Sequence, residues 1–517
     1  MAHLAWSGTS ALWGLVGFLF AYFTTTTLYS WYRLRKVPGP RLASFSYLWV
    51  LSATTSGRLA WIYEDLPAKY GHLVRVGPNL LLTDDLAQLR KMSAARSPYG
   101  KDGDYKATIR HPDHHNMLST TDLGEHDDIK SRLAGPYGGR ETLAMEPIVD
   151  EILQSLIRHI RVHASTADKT TDSVPIDFST VVNYFTEDVI TRIAFGREFG
   201  CLESNSDVHG LLAAMNAAMK AYTIPISIPW LRDLVSGDTF MKYFGPKMTD
   251  KSGVGTMMRI ARDAVIERYQ PGAPDEKDLL GAFIRSGLEP GPCMSEVMIA
   301  MIAGNDTTAA AIRMTMLCLM TNPRVYSKFK SVVQEAVQNG TASNPIRFEE
   351  AKKMPYVQAV IYEGLRMRPP GPVMFGKVVP PQGDIIDGKF IPGGTVIAGA
   401  TAPMMRAHCY WGSDSDIFRP ERFLEVDDQQ RAALERIVEM SFGYGRLKCA
   451  GQSVAFMELN KVFFEVISPY TLLLSLLLKS GQLFRHFDFQ VVNPVKPWVG
   501  DFYTTWRDRD FFVHVTE

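Results

Sequence analysis

Apolar and polar positions along this chain follow three different rhythms. Between Ala11 and Trp31 there is no charged residue, and about 20 residues at roughly 1.5 Å of helical rise each span a bilayer core of about 30 Å. Residues 70–84 alternate apolar and polar around Gly77-Pro78-Asn79, which predicts a small β-hairpin. Further on, 141–164, 176–196 and 207–222 carry apolar residues at three- and four-residue spacing, the period of a helix. Pro225, Pro229 and Gly237 break that period and predict a loop between helices. Asp275 to Met320 predicts two helices, the second long and apolar on most faces and therefore buried. Short β-like runs separated by turn residues fill 373–403. The sum predicts a mainly α fold with a minor β region, preceded by an N-terminal transmembrane helix.

Composition narrows the function classes. The 517 residues are 46% hydrophobic and 21% charged, as in an ordinary globular protein. The formal net charge of zero argues against nucleic acid as the main partner. Five scattered cysteines, Cys201, Cys293, Cys318, Cys409 and Cys449, have neither disulfide-framework nor zinc spacing. The apolar N-terminus lacks the positive leader and small-residue site of a cleaved signal, whereas Arg33, Arg35 and Lys36 follow it at once. The positive-inside bias therefore places the downstream bulk in the cytosol. Val37-Pro38-Gly39-Pro40 ends the helix, since proline removes a donor and disfavours helix at the residue before it. The expected organisation is a lumenal segment 1–10, an anchor 11–32, a basic and proline-rich hinge 33–41, and one large domain 42–517.

Four constellations carry candidate chemistry. In Ser441-Phe442-Gly443-Tyr444-Gly445-Arg446-Leu447-Lys448-Cys449-Ala450-Gly451, three glycines and two basic residues bracket one cysteine. A thiolate that ligates iron needs N–H groups and cations around it, and glycine lets backbone approach a flat cofactor; the plainer alternative is a buried cysteine in a turn. Ala303-Gly304-Asn305-Asp306-Thr307-Thr308 lies inside the long apolar helix, where Gly and Asp cost stability. Ala303 and Thr307, four apart, share a face, while a capping or solvent-facing Asp is the alternative. Glu363 and Arg366 are three apart on one helix, a common surface pairing by itself. Glu125-His126 with Lys130 and Arg132 puts His126 and Lys130 one turn apart, equally compatible with a solvated face.

Taken together, these motifs resemble the cytochrome P-450 superfamily over nearly the whole chain, and the fold they imply is the cytochrome P-450 fold. Phe442, Gly445, Cys449 and Gly451 match the haem-loop pattern Phe-x-x-Gly-x-Arg-x-Cys-x-Gly, but Leu447 stands where that Arg, which commonly pairs with a haem propionate, is usual. The resemblance implies haem b with Cys449 as axial iron ligand, and Phe442, Gly445, Arg446, Gly451, His126, Lys130, Ala303 and Gly304 as cofactor-binding residues. His126 and Lys130 would supply cations to the propionates. Gly304 would bring the helix close to the cofactor and open its hydrogen bonding, and Asp306 with Thr307 would be the acid–alcohol pair that supplies protons for catalysis. Glu363, Arg366 and Arg422 of Pro420-Glu421-Arg422-Phe423 would form a buried charge network holding the cysteine loop in register. Val373, Met374, Phe375, Phe502 and Tyr503 would line an apolar substrate pocket.

The implied activity is a membrane-anchored monooxygenase that inserts one oxygen atom into an apolar small molecule, since a thiolate ligand favours O–O cleavage. Electrons would come from NADPH through a flavoprotein reductase, with cytochrome b5 as a further donor, and Arg446, Lys448 and Lys461 would belong to the docking face. Likeness to fungal microsomal, pisatin-demethylase-like members implies secondary metabolism and a single-pass endoplasmic reticulum protein with its catalytic domain, 42–517, in the cytosol. Two alternatives are a haem-thiolate isomerase or dehydratase without net oxygenation, which would not need Asp306 and Thr307, and an inert haem-binding protein. Compared with such relatives, 466–482 adds 17 residues between Glu465 and Leu483 with the frame intact. Val codons begin GT and a Gln codon can be CAG, the borders of an intron, so the segment is either a translated intron or an apolar insertion touching the membrane. Sequencing the spliced transcript decides: the intron reading expects most messages to lack the segment, and its presence in most copies refutes it.

Overall fold

The computed structural model describes residues 2–108, 111–138, 145–165, 174–467, 487–503 and 505–516. Its centre is the long helix Pro290–Met320, which packs against Phe178–Phe195, Val254–Arg268 and Pro355–Met367. The apolar character read from the sequence has its cause here: between Ser295 and Leu319 every residue is buried except Ala303, Gly304, Asp306, Thr307 and Met314. Proline opens several helices, at Pro290, Pro323 and Pro355, where its missing N–H has no intrahelical partner to lose. The same rule corrects the loop expected around 225–237. Pro225 lies within Leu211–Ser227, Pro229 starts the helix Pro229–Val235, and Gly237 precedes the helix Asp238–Phe244.

The hairpin expected at 70–84 is the antiparallel pair Leu73–Gly77 and Leu80–Thr83. Leu80–Thr83 continues in parallel onto Val396–Ala400, which pairs antiparallel with Val373–Val378, and Gly100–Lys101 closes the edge. The β-like runs of 373–403 thus join the hairpin in one five-stranded sheet. Near the C-terminus, Val499–Phe502 and Trp506–Arg509 form a hairpin. Its Asp508 is buried between Arg313 of the long helix (3.1 Å) and Arg368 (2.7 Å). Of the suspected insertion, only Val466 and Ile467 fall among the described residues; both are buried and end the helix Gln452–Ile467. Residues 141–144 of the expected helix 141–164 also lie outside them; the helix is Met145–Ser165.

The N-terminal helix runs Ala2–Arg33, with mean hydropathy 1.4 over its most apolar window and none of that window buried. It is joined firmly to the sheet. Arg75, buried on the first strand, donates to Ser30 O (2.9 Å), Trp31 O (3.2 Å), Pro78 O (2.6 Å) and Gly77 O (3.3 Å). The first two are carbonyls of the helix's last turn, which have no partner within the helix. Ser30 Oγ donates to Pro78 O (2.6 Å), Arg33 Nη2 to Gly393 O (2.7 Å), and Arg75 N to Pro38 O (2.7 Å). Burial lowers the Arg75 pKa to about 10, still far above neutrality, so the guanidinium keeps its charge. Arg75→Ala strands these carbonyls at a cost of about 1–3 kcal/mol. Trypsin cleavage after Arg33, Arg35 and Lys36 is then expected to be about tenfold faster or more; an unchanged rate would show that the junction does not depend on Arg75.

Candidate active site

The glycine-bracketed cysteine folds as a tight loop before the helix Gln452–Ile467. Cys449 N donates to Phe442 O (2.7 Å), and Lys448 N to Gly445 O (3.2 Å), so the loop closes on itself. Gly445 has φ +58°, and a Cβ there would run into the Ser93 carbonyl, so both conformation and space require glycine. The Phe442 ring lies 5.5 Å from Phe456 of the following helix, fixing the loop's entry.

Cys449 is solvent-accessible although protein surrounds it. That burial pushes its thiol pKa up, opposed by the N–H of Gly451, by Lys130, by the N–H of Gln452 and by Lys448. The loop therefore supplies the donors that a negative sulfur needs while leaving one side of it open. On the long helix, Ala303 is the one exposed position between Ser295 and Leu319. An exposed alanine in the middle of a buried helix faces an internal space. Thr307, one turn on, is half-buried, and its hydroxyl donates to Ala303 O (2.7 Å). An accessible sulfur backed by N–H groups, with a helix that presents Ala303 and Thr307 on one accessible face, fits a flat prosthetic group ligated by Cys449.

Several expected roles change. Gly304 does not face a cofactor: a Cβ on it would lie 2.7 Å from Ile190 Cγ1, so the glycine serves the packing of Phe178–Phe195 on the long helix, and the helix runs unbroken through it. Asp306 and Thr307 are not hydrogen-bonded to each other. Asp306 faces Arg313, Arg507, Asp508 and Thr505; burial raises its pKa, opposed chiefly by Arg313. His126 is buried with Nδ1 3.0 Å from Asp127, and burial, with Lys101 and Lys130 nearby, lowers its pKa, so it is neutral rather than cationic at neutral pH. Lys130 donates to the loop carbonyls Arg446 O (2.5 Å) and Lys448 O (3.0 Å). Arg446 is 3.3 Å from Asp127.

Glu363, Arg366 and Arg422 come together in full burial. Arg366 grips Glu363 through Nε (2.8 Å) and Nη2 (2.8 Å), and Arg422 Nε reaches the same carboxylate at 3.0 Å. The backbone N–H of Arg419 adds a fourth donor at 2.8 Å. The remaining guanidinium protons go to carbonyls of Met405, Trp411, Asp414, Ser415 and Ile417. From the same helix, Tyr362 donates to Glu439 (3.0 Å), which lies 3.8 Å from Lys448 in the cysteine loop.

Among the expected pocket residues, Val373, Met374 and Tyr503 are half-buried and Phe375 is 36% exposed. Phe502 is 3% exposed, packed 5.0 Å from Trp506 in a small core with Leu59 and Ala310, so it is a core residue and not a wall of the pocket. Lys461 is also corrected: fully buried, it pairs with Glu146 (2.8 Å) and Asp150 (2.9 Å), out of reach of any docking partner. Sequence reasoning missed Glu296, buried on the long helix with Oε1 accepting Met117 N–H (2.5 Å); an acid in an apolar helix two turns before Ala303 was the available signal.

A family model described as Cytochrome P450 matches residues 37–493. The cytochrome P450 monooxygenase aba1 of Botryotinia fuckeliana is 41% identical over 94% of this chain and 92% of its own length. ABA1 of Pyricularia oryzae is 38% identical over 98% and 97%, and abl1 of Leptosphaeria maculans 36% over 90% and 80%. For the site's packing, Gly304→Ala is expected to cost about 1–3 kcal/mol by overpacking. Thermal unfolding should show a lower Tm that Ile190→Ala partly restores; a loss that Ile190→Ala leaves untouched would return Gly304 to the cofactor.

Proposed function

The chain belongs to the cytochrome P450 family and is a haem-thiolate monooxygenase, and on that premise we propose that it is membrane-anchored and oxidises an apolar small molecule of fungal secondary metabolism. The observation that carries the reading is the Cys449 sulfur, backed by two N–H groups and two lysines and open on its remaining side. When bound there, haem with its thiolate ligand supplies activation of dioxygen and insertion of one oxygen atom into the substrate. Cys449 would ligate the iron. Phe442, Gly445 and Gly451 would shape the loop, and Lys130, anchored to two loop carbonyls, would hold positive charge beside the sulfur.

Thr307, half-buried on the accessible face, would hold a hydroxyl proton at the substrate side of the long helix, its own hydrogen bond to Ala303 O fixing the rotamer. Asp306, on the neighbouring face, would exchange protons from the side of Arg507 and Thr505 rather than by direct contact with Thr307. That hydroxyl favours oxygenation over isomerisation. Val373, Met374 and Phe375, on the strand Val373–Val378, would meet an apolar substrate. Glu363, Arg366 and Arg422 would keep the loop in register.

Residues 11–32 would cross the endoplasmic reticulum membrane once, with 33–41 following in the cytosol before the catalytic domain 42–517. Trp230 (65% exposed) and Phe244 (75% exposed) add apolar surface beyond the anchor, and the helix Leu211–Ser227 that leads to them packs on Leu48–Thr55, close to the anchor's end. NADPH-derived electrons would arrive through a membrane-bound reductase, with Arg446 and Lys448 on its docking side. Two measurements test the reading. The reduced, purified protein should give a thiolate-type carbon-monoxide difference spectrum that Cys449→Ser abolishes. Deletion of the gene in its host should cause a less oxidised apolar compound to accumulate, and an unchanged metabolite profile under expressing conditions would overturn the substrate assignment.

A further inference from the structure

We propose, building on the haem-thiolate reading and on the proton exchange it gives Asp306, that Asp508 and Arg368 are positioning residues for that acid. Together they hold Arg313 in a cluster of their own, which leaves Asp306 able to keep a proton. The three charged groups come from three separate elements. Arg313 lies on the long helix about two turns beyond Asp306. Asp508 is on the strand Trp506–Arg509, and Arg368 caps the end of the helix Pro355–Met367. Arg313 Nε donates to Asp508 Oδ2 (3.1 Å), and Arg368 Nη1 lies 2.7 Å from Asp508 Oδ1. Their side chains are buried, at 3% exposure for Arg313 and Asp508 and 7% for Arg368.

The surroundings fix this arrangement. The Arg368 guanidinium stands over the rings of Trp498 and Trp506, 4.1 Å and 3.7 Å from their centroids. Trp506 Nε1 donates to Pro369 O (2.9 Å), beside Arg368 in the chain. Gly500 is the register partner of Asp508. A Cβ on it would lie 1.6 Å from the Trp498 ring and 2.7 Å from Arg368 Nη2, so a side chain there would break the cluster. On its other side Arg313 donates to Asn183 Oδ1 and to Ser179 O (3.4 Å) of the helix Phe178–Phe195.

Two guanidinium groups share one carboxylate here, and a buried charge without its counterpart is costly. Ionised Asp306 would supply the balance, yet among the described residues no guanidinium comes within the 4.0 Å of an ion pair with it. The groups that face Asp306 are Arg313 from its own helix, Asp508, Arg507 and Thr505 from the hairpin, and Glu187 from Phe178–Phe195. Burial raises the Asp306 pKa; Arg313 opposes that chiefly, and Asp508 adds to it. Glu187, pushed up to about 8 by burial, is neutral at neutral pH and adds no charge. Removing Asp508 frees Arg313 and deletes a negative charge, and both changes favour ionised Asp306. Removing Arg368 leaves Asp508 less compensated, which favours protonated Asp306. The two members of one ion pair therefore push in opposite directions, which a loss of packing does not do.

The test uses full-length holoenzyme reconstituted with a flavoprotein reductase, with dodecane as apolar probe. The readout is the share of NADPH electrons that appears as hydrogen peroxide, followed against pH. Reducing dioxygen to water takes twice the electrons and protons that reducing it to peroxide takes, so the peroxide share rises as Asp306 loses its proton. Asp508→Asn should move the midpoint of that rise down by about one pH unit, a tenfold change in proton concentration, and Arg368→Gln should move it up by about as much. Should Asp508→Asn fail to fold, the double variant Asp508→Asn/Arg368→Gln leaves Arg313 opposite Asp306 without surplus charge, and its midpoint should also fall. Unmoved midpoints, or loss of Asp508 and loss of Arg368 shifting them the same way, overturn the positioning role. Asp306→Asn should flatten the profile. A profile that survives Asp306→Asn, or is flat in wild type, takes down the proton role of Asp306 and this proposal with it; one that Asp306→Asn flattens but the other variants leave in place takes down the proposal alone. A wild type without a thiolate-type carbon-monoxide spectrum removes the haem-thiolate reading beneath both.

Discussion

Keeping a negatively charged sulfur inside a protein is the constraint around which this structure is arranged. Burial alone raises the Cys449 pKa and favours the neutral thiol, which is a poor metal ligand. The fold opposes that tendency with the first N–H groups of the helix Gln452–Ile467, where unpaired donors and the helix dipole both favour negative charge. Lys130 adds a cation, and its bonds to the carbonyls of Arg446 and Lys448 make it part of the loop. Charge stabilisation and loop geometry thus come from the same contacts.

The charge network on the helix Pro355–Met367 solves a second problem, how to fix a segment with little regular structure. Residues 405–422 contain only short helical turns. Two guanidinium groups thread their protons into five of its backbone carbonyls, while Glu363 from the helix and Asp414 from the segment itself supply the two balancing carboxylates. Removing one member of such a set leaves uncompensated buried charge at a cost of about 3–5 kcal/mol, so the set works as a unit. Tyr362 and Glu439 carry the same helix's influence toward Lys448, one residue from the sulfur.

What was legible in the sequence was whatever depends on spacing within one element or on a dense local motif. The long apolar helix, the first hairpin, the glycine-rich cysteine loop and the helix bearing Glu363 and Arg366 all belong to this class. What was not legible depends on a partner remote in sequence. Gly304 owes its place to Ile190, more than a hundred residues earlier. Lys461 reads as a surface lysine until Glu146 and Asp150 are brought against it. Phe502 reads as a pocket residue until Trp506 and Ala310 enclose it. Prolines were misread around 225–237 because the same residue that stops one helix starts the next.

The guanidinium of Arg75 has one more implication. By gripping the final carbonyls of the N-terminal helix, it couples that helix to the sheet, with little freedom for the two to swivel independently. A helix whose apolar length exceeds the local hydrocarbon thickness relieves the mismatch by leaning over. In a membrane-anchored chain, a stiff joint would make any such lean rotate the attached domain relative to the lipid surface. For such an anchored chain, bilayer thickness would become a physical variable setting the depth from which a lipophilic compound enters, and lipid composition would act on access without touching the haem loop.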